Sequence, residues 1–336
     1  MQEYSDREAK IQKMLFGPQL GILLYSVVDL NIPRLLASGP KTAEELASES
    51  SSVPDKLERV LLALETEKLF AYNEQTRQFS NTSITECLLN EQFAKFVKLS
   101  LNPYRYEFYS VFPEVLKSEK TAPELKFNQT FNDFISQRPE LLEEYIATYK
   151  MFIKIVANDI APHIDLRNSR KVIEVGGRDG TLLNELAKVY RDFTGTIYEQ
   201  TVFRNFVEKN ISDYGHGERI KVASGNFVDA VPEGFDTVIL KCAISEYNNQ
   251  QLENILKNCR RAIEHGNKLF LTDHILDRHD QSTYKLVSQL DIYDLIVSEG
   301  RIRTRQELEQ IFDRSGFRIT NYQPVKRLFV VEATAV

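Results

Sequence analysis

The chain has 336 residues, long for one domain and ample for two, and its apolar fraction of 42% is enough to bury a full core. Lys and Arg total 42 against 48 Asp and Glu, a formal charge of −6, which gives no electrostatic case for nucleic-acid binding. The opening segment Met1–Lys13 is polar, the longest apolar run Leu20–Val28 is too short for a bilayer, the three cysteines Cys87, Cys242 and Cys259 show no CxxC spacing, and the five His do not pair as metal ligands. The expectation is therefore a cytoplasmic protein with reduced thiols, no signal peptide, no membrane span and no metal.

Residues 1–100 read as short helices closed by a hairpin. Leu20, Leu23, Leu24, Val27 and Val28 form a helical stripe. Thr42-Ala43-Glu44-Glu45 is a capping box, and Pro54-Asp55 opens a further helix with Leu57, Val60, Leu61 and Leu64 on one face. Leu69–Tyr72 and Arg77–Ser80 flank a polar turn, completing the element order of a winged helix. Residues 101–165 are helical and aromatic, with the best helices expected over Asn128–Ser136 and Pro139–Ile160; they are assigned as a linker and substrate lid, with Tyr149 a candidate substrate contact. From 166 onward strands alternate with helices. Val172–Val175, Thr196–Tyr198, Thr237–Leu240 and Leu269–Thr272 are expected to form a parallel sheet, finished by an antiparallel pair, Phe317–Tyr322 and Leu328–Glu332.

The informative segment is Val172-Ile173-Glu174-Val175-Gly176-Gly177-Arg178-Asp179-Gly180-Thr181, a strand entering a glycine turn and then a helix. Gly176, Gly177 and Gly180 let a backbone approach a ligand beside a helix N-terminus. The GxGxxG spacing of a dinucleotide site is absent, and Glu174 would repel a pyrophosphate. An acid there suits the cationic amino-acid end of S-adenosylmethionine. Glu199, after the next strand, can accept from both ribose hydroxyls. A solvated loop charge is the alternative for Glu199.

On these residues the chain resembles the two-domain S-adenosylmethionine-dependent O-methyltransferases of the plant caffeate and bacterial polyketide-tailoring kind, from about Leu20 to Glu332. Leu30–Leu36 and Gly39–Ala47 look like that family's dimerisation domain, Gly195–Glu199 like its ribose-binding strand, and Asn258–Ile263 like its helix after the fourth strand. Gly225-Asn226-Phe227 stands at its adenine-side Gly-Asp-Phe, and Leu240-Lys241 at the segment of strand four. The resemblance implies a class I methyltransferase-like α/β fold, a doubly wound seven-stranded sheet with an N-terminal all-α winged-helix dimerisation domain. It also implies a homodimer through that domain, and a cofactor site of Glu174, Gly176, Gly177, Gly180, Glu199, Asn226, Phe227 and Lys241.

The resemblance departs at the general base. Ser245 stands where the family has His, and Ile302 where it has the acid orienting that His. Three readings stay open: an already anionic nucleophile, another base, or a cofactor kept as a fixed cation for a cyclisation, isomerisation or hydroxylation. Glu246, Ser245 and His274 are the catalytic candidates, Arg301 and Arg303 candidate holders of a substrate carboxylate. The expected function is methylation of an oxygen on a small aromatic or acidic metabolite, in natural-product biosynthesis. A cofactor-sensing winged-helix regulator is the reading from a different class.

Overall fold

The computed structural model describes residues 6–336 apart from 243, with the side chains of 147 and 149–152 also outside the description. Tyr149, a sequence candidate, is among those side chains. The chain divides into two compact units, one ending at Glu107 and one running from Phe108 to the end.

In the first unit the Leu20–Val28 stripe belongs to a 24-residue helix, Asp6–Asp29. Thr42 and Glu45 form the expected reciprocal cap on Ala43–Ser50, and Pro54–Glu65 buries Leu57, Leu61 and Leu64. Three short strands, β1 (Lys41–Thr42), β2 (Phe70–Asn73) and β3 (Gln78–Asn81), form an antiparallel sheet in the order β1-β3-β2, so the unit is not all helix. Phe70 and Phe79 from the ribbon and Ile32, Leu46 and Leu61 from the helices make one core. The Asp6–Asp29 helix exposes Ile11, Met14, Leu15 and Phe16 within the unit. By length and composition that helix could also cross a membrane, which the nine-residue run did not suggest.

The second unit opens with aromatic helices. Phe108, Phe127, Phe131, Phe134 and Tyr145 meet mostly edge to face, so this stretch is a packed cluster. The helix expected from Asn128 begins only at Phe131, because Asn128 is left-handed and Thr130 provides the cap. The sheet comprises β4 (Lys171–Val175), β5 (Thr194–Glu199), β6 (Ile220–Ser224), β7 (Phe235–Lys241), β8 (Ile263–Asp273), β9 (Phe317–Val325) and β10 (Leu328–Ala335), in the order β6-β5-β4-β7-β8-β10-β9. β4 to β8 pair in parallel; β10 runs antiparallel to β8 and β9. Strand β6 was not singled out in the sequence.

Both faces of this sheet are covered. Val172, Ile239 and Val330 pack on one side with Leu182 and Leu186, whereas Ile173, Leu240 and Val331 pack on the other with Leu252, Ile255 and Phe312. Neighbouring residues of one strand thus serve opposite cores, which is why the strands read as continuous apolar runs. The strand order reverses between β4 and β7, leaving a crevice at the carboxyl ends of the parallel strands.

Candidate active site

β4 leads into the crevice through Gly176 and Gly180, both at positive φ (70° and 71°), and the helix Thr181–Val189 follows. A Cβ on Gly177 would lie 2.8 Å from Glu174 Cδ, and one on Gly180 would run into Ile197 and Ile211. Both positions need glycine on steric grounds. Arg178 between them takes φ 48°, an uncommon conformation for a side-chain-bearing residue.

Beneath the turn lies a buried charge cluster. Glu174 alternates with Ile173 and Val175 and therefore faces the following helix, where its Oε2 accepts from Leu183 N at 3.2 Å. Its Oε1 is buried and accepts no hydrogen bond; Lys241 Nζ stands 3.4 Å away. Lys241, from the end of β7, donates to Gly177 O at 3.1 Å and to Asp179 Oδ1 at 3.4 Å. Asp179 also accepts from Thr181 N and its hydroxyl. Burial pushes the Glu174 carboxyl up to about 7, with Lys241 opposing and Asp179 adding. Burial works against the Lys241 charge as well, but Glu174 and Asp179 outweigh it and its pKa is raised.

At the end of β5, Glu199 is 2% exposed. Its Oε2 accepts from Arg178 N and its Oε1 from Gln200 N, both at 2.7 Å. These bonds fix the carboxylate and leave each oxygen a further lone pair. Burial raises its pKa, and Arg178 opposes. Gln200 bonds the Tyr247 hydroxyl at 3.0 Å, and the Tyr247 ring meets Phe227 edge to face at 5.5 Å. Asn226 is exposed and ties its own turn, bonding Asp229 Oδ2 and accepting from Val228 N.

The structure thus brings Glu174, Gly176, Gly177, Gly180, Glu199 and Lys241 around one crevice, with Phe227 at its flank, edge to face with Tyr247. The catalytic and substrate candidates fare differently. Glu246 is ion-paired with Arg178, which also donates to the Tyr145 hydroxyl at 3.0 Å. A carboxylate held by a guanidinium is a weakened base, so the expectation for Glu246 is corrected. His274 turns its ring Nδ1 to the carbonyl of Arg327, 2.9 Å away in the β9–β10 turn. Arg301 is exposed and bonds Glu307 at 2.7 Å, so its assignment to a substrate carboxylate is replaced by a surface ion pair.

Arg303 is buried and holds a loop. It donates to Asn249 Oδ1 (2.9 Å), Ile244 O (3.0 Å), Arg301 O (2.9 Å) and Tyr247 O (2.6 Å), with burial pushing its pKa down to about 10. Four of its donors are taken by three backbone carbonyls and the Asn249 side chain, which removes it as a carboxylate holder. Sequence reasoning missed Asp273, which caps the same loop by accepting from Ile244 N, and Asp294, a half-buried acid whose carboxyl burial pushes up to about 8. The available signal was Asp291 and Asp294, two acids three apart in the helix Tyr284–Val297, whose other charged residue is Lys285.

The profile of the O-methyltransferase domain matches residues 116–318, and that of the O-methyltransferase dimerisation domain matches residues 14–91. The chain belongs to the O-methyltransferase family. A phenazine O-methyltransferase of Lysobacter antibioticus is 25% identical over 328 residues, covering 96% of this chain and 95% of that protein. The mitomycin 7-O-methyltransferase structure superposes with a TM-score of 0.91 at 19% identity, covering 98% of each chain. An O-methyltransferase from neocarzinostatin biosynthesis, solved with S-adenosylmethionine and 2-hydroxy-5-methyl naphthoic acid, gives 0.83 at 20% identity, covering 94% of this chain and 96% of that one. The chain is an S-adenosylmethionine-dependent transferase, and it carries the family's dimerisation domain.

The crevice fits that cofactor. Glu174 Oε1 is a buried acceptor without a hydrogen-bond donor, Gly177 keeps the turn free of a Cβ, and Glu199 presents a fixed carboxylate one strand away.

Proposed function

We propose that this enzyme methylates a hydroxyl oxygen of a small aromatic or acidic metabolite in natural-product biosynthesis. The observation that carries the reading is Glu199, a buried carboxylate whose two oxygens are fixed by backbone N–H groups at the crevice edge. S-adenosylmethionine supplies a sulfonium-bound methyl there. Glu199 would receive the ribose hydroxyls. Glu174 and Asp179, balanced by the single cation Lys241, would draw the ammonium end toward the glycine turn. Phe227 and Tyr247 offer apolar surface for the adenine. The residues' share of catalysis is alignment of the acceptor oxygen against the methyl and exclusion of water.

We further propose a homodimer through the N-terminal unit, with the exposed Ile11, Met14, Leu15 and Phe16 face covered by a second copy rather than by a membrane. Three free thiols support a reducing cytoplasm. The test of the function is methyl-labelled S-adenosylmethionine incubated with the enzyme and hydroxylated aromatic acids, 1,4-dihydroxy-2-naphthoic acid among them. Label on a product oxygen is the expected result. Cofactor binding with no label in any product would overturn methyl transfer and leave the cofactor as a fixed cation.

A further inference from the structure

Glu199 is fixed by two backbone N–H groups, and the side chains of the two residues that supply them reach the same two neighbours. Arg178 N donates to Glu199 Oε2 and Gln200 N to Oε1, both at 2.7 Å. The Arg178 guanidinium donates to the Tyr145 hydroxyl at 3.0 Å and pairs with Glu246. The Gln200 amide accepts from Asn132 Nδ2 at 3.1 Å and donates to the Tyr247 hydroxyl at 3.0 Å. Tyr145 lies in the helix Pro139–Ile160 and Asn132 in the helix Phe131–Ser136, while Glu246 and Tyr247 are successive residues of the loop after β7. Each oxygen of one carboxylate is thus joined, through one residue, to an aromatic helix and to the loop that carries Ser245.

We propose that Arg178 and Gln200 are positioning residues that couple cofactor binding at Glu199 to the docking of these two helices against the loop. The inference rests on the reading of Glu199 as the acceptor of the ribose hydroxyls. The ties are held at every end. On the loop, Arg303 bonds the carbonyls of Ile244 and Tyr247 on either side of Glu246. On the helices, the rings of Phe131 and Tyr145 meet edge to face at 5.8 Å, which joins the two helices to each other. At the crevice, Arg178 sits in the glycine turn at φ 48°, with its guanidinium 5.6 Å from the centre of the Phe203 ring. Its side chain is 13% exposed, so its bonds to Tyr145 and Glu246 are largely shielded from water and salt.

The coupling runs through the carboxylate. Glu199 has about four lone-pair sites, and the two N–H groups take one on each oxygen. When Glu199 also accepts from a ribose diol, its orientation is fixed from both sides, and so are the two backbone N–H groups and the turns they belong to. Helices that dock on Arg178 and Gln200 then meet partners already ordered and lose less conformational freedom in doing so. The relation is reciprocal: docked helices hold Arg178 and Gln200 in place for Glu199, and through it for the cofactor. Couplings of this kind are ordinarily about 5–150-fold in affinity. The consequence for the reaction is an order of events. Cofactor loads first, and the acceptor then enters between helices and loop whose spacing the bound cofactor has set.

The test variant is Y145F/N132A in the full chain, which removes the helix end of both ties and leaves Arg178, Gln200 and Glu199 as they are. Amide hydrogen exchange is followed over residues 131–160 with and without saturating S-adenosylhomocysteine, and calorimetry measures its affinity. In the parent the ligand should slow exchange in both helices by about 5–150-fold. In Y145F/N132A it should still bind, yet slow exchange by less than about twofold. Y145F and N132A alone should each lose part of the slowing, a graded result that does not depend on the stability of the double variant. R178K, which keeps the charge without the planar fork, should fall between the parent and R178M. No slowing in the parent, or equal slowing in the parent and Y145F/N132A, overturns the coupling. Loss of ligand binding in Y145F/N132A overturns it too, because the ties would then belong to the cofactor site itself. E199A separates this from the reading beneath it: unchanged affinity in E199A overturns the ribose assignment, whereas weakened affinity in E199A with unslowed helices in the parent overturns the coupling alone.

Discussion

Arg303→Met separates a structural from a substrate-binding role for the one arginine fully buried at this site. The side chain makes four hydrogen bonds, three of them to the carbonyls of Ile244, Arg301 and Tyr247. Methionine replaces its aliphatic stem and leaves those acceptors without their donor. A buried acceptor left unpaired costs about 1–3 kcal/mol, so the upper bound is about 9 kcal/mol. Two things reduce it: burial already opposes the guanidinium, down to about 10, and the loop can rotate some carbonyls to water. The expected loss is therefore about 3–5 kcal/mol, within the range for removing one partner of a buried charged contact. Urea unfolding followed by circular dichroism measures it, and R303K should fall between, since an ammonium has three donors in place of five. Cofactor affinity should stay within about threefold, because Glu174 and Glu199 have their own supports. A stability for R303M within about 1 kcal/mol of the parent, together with a large rise in substrate KM, would mean that Arg303 serves the substrate after all.

Glu199→Ala should weaken S-adenosylmethionine by about 1.5–3 kcal/mol, the worth of hydrogen bonds to a charged group, measured by calorimetry; equal affinity in mutant and parent refutes the ribose assignment. The raised Glu174 carboxyl makes the folded state bind more protons than the unfolded between about pH 4.5 and 7, so stability should fall as pH rises through that window. E174Q should flatten this slope by up to about 3 kcal/mol, with the raised Glu199 keeping part of it; superimposable slopes in parent and mutant count against the buried cluster. Sedimentation of the full chain at micromolar concentration should give about twice the monomer mass, and a monomer that stays in solution without detergent rules out the proposed role of the Ile11–Phe16 face.

The parts of the fold that were legible in the sequence are those where local chemistry and tertiary packing agree. Thr42 with Glu45, Pro54 at a helix start, and the runs Val172–Val175 and Thr237–Leu240 each carry their own signal, and each forms the expected element. Ile220–Ser224 was missed because it is a half-exposed edge strand, with Lys221 outward and only Ile220 fully buried. The glycine turn was legible for a steric reason: at 177 and 180 a Cβ has nowhere to go. Side-chain roles across the crevice were not, since they depend on which partner each charge reaches. Arg301 and Arg303 are two residues apart and alike in sequence, yet one meets Glu307 at the surface and the other three buried carbonyls. Glu246 follows Ser245 in sequence but turns to Arg178, a partner 68 positions earlier.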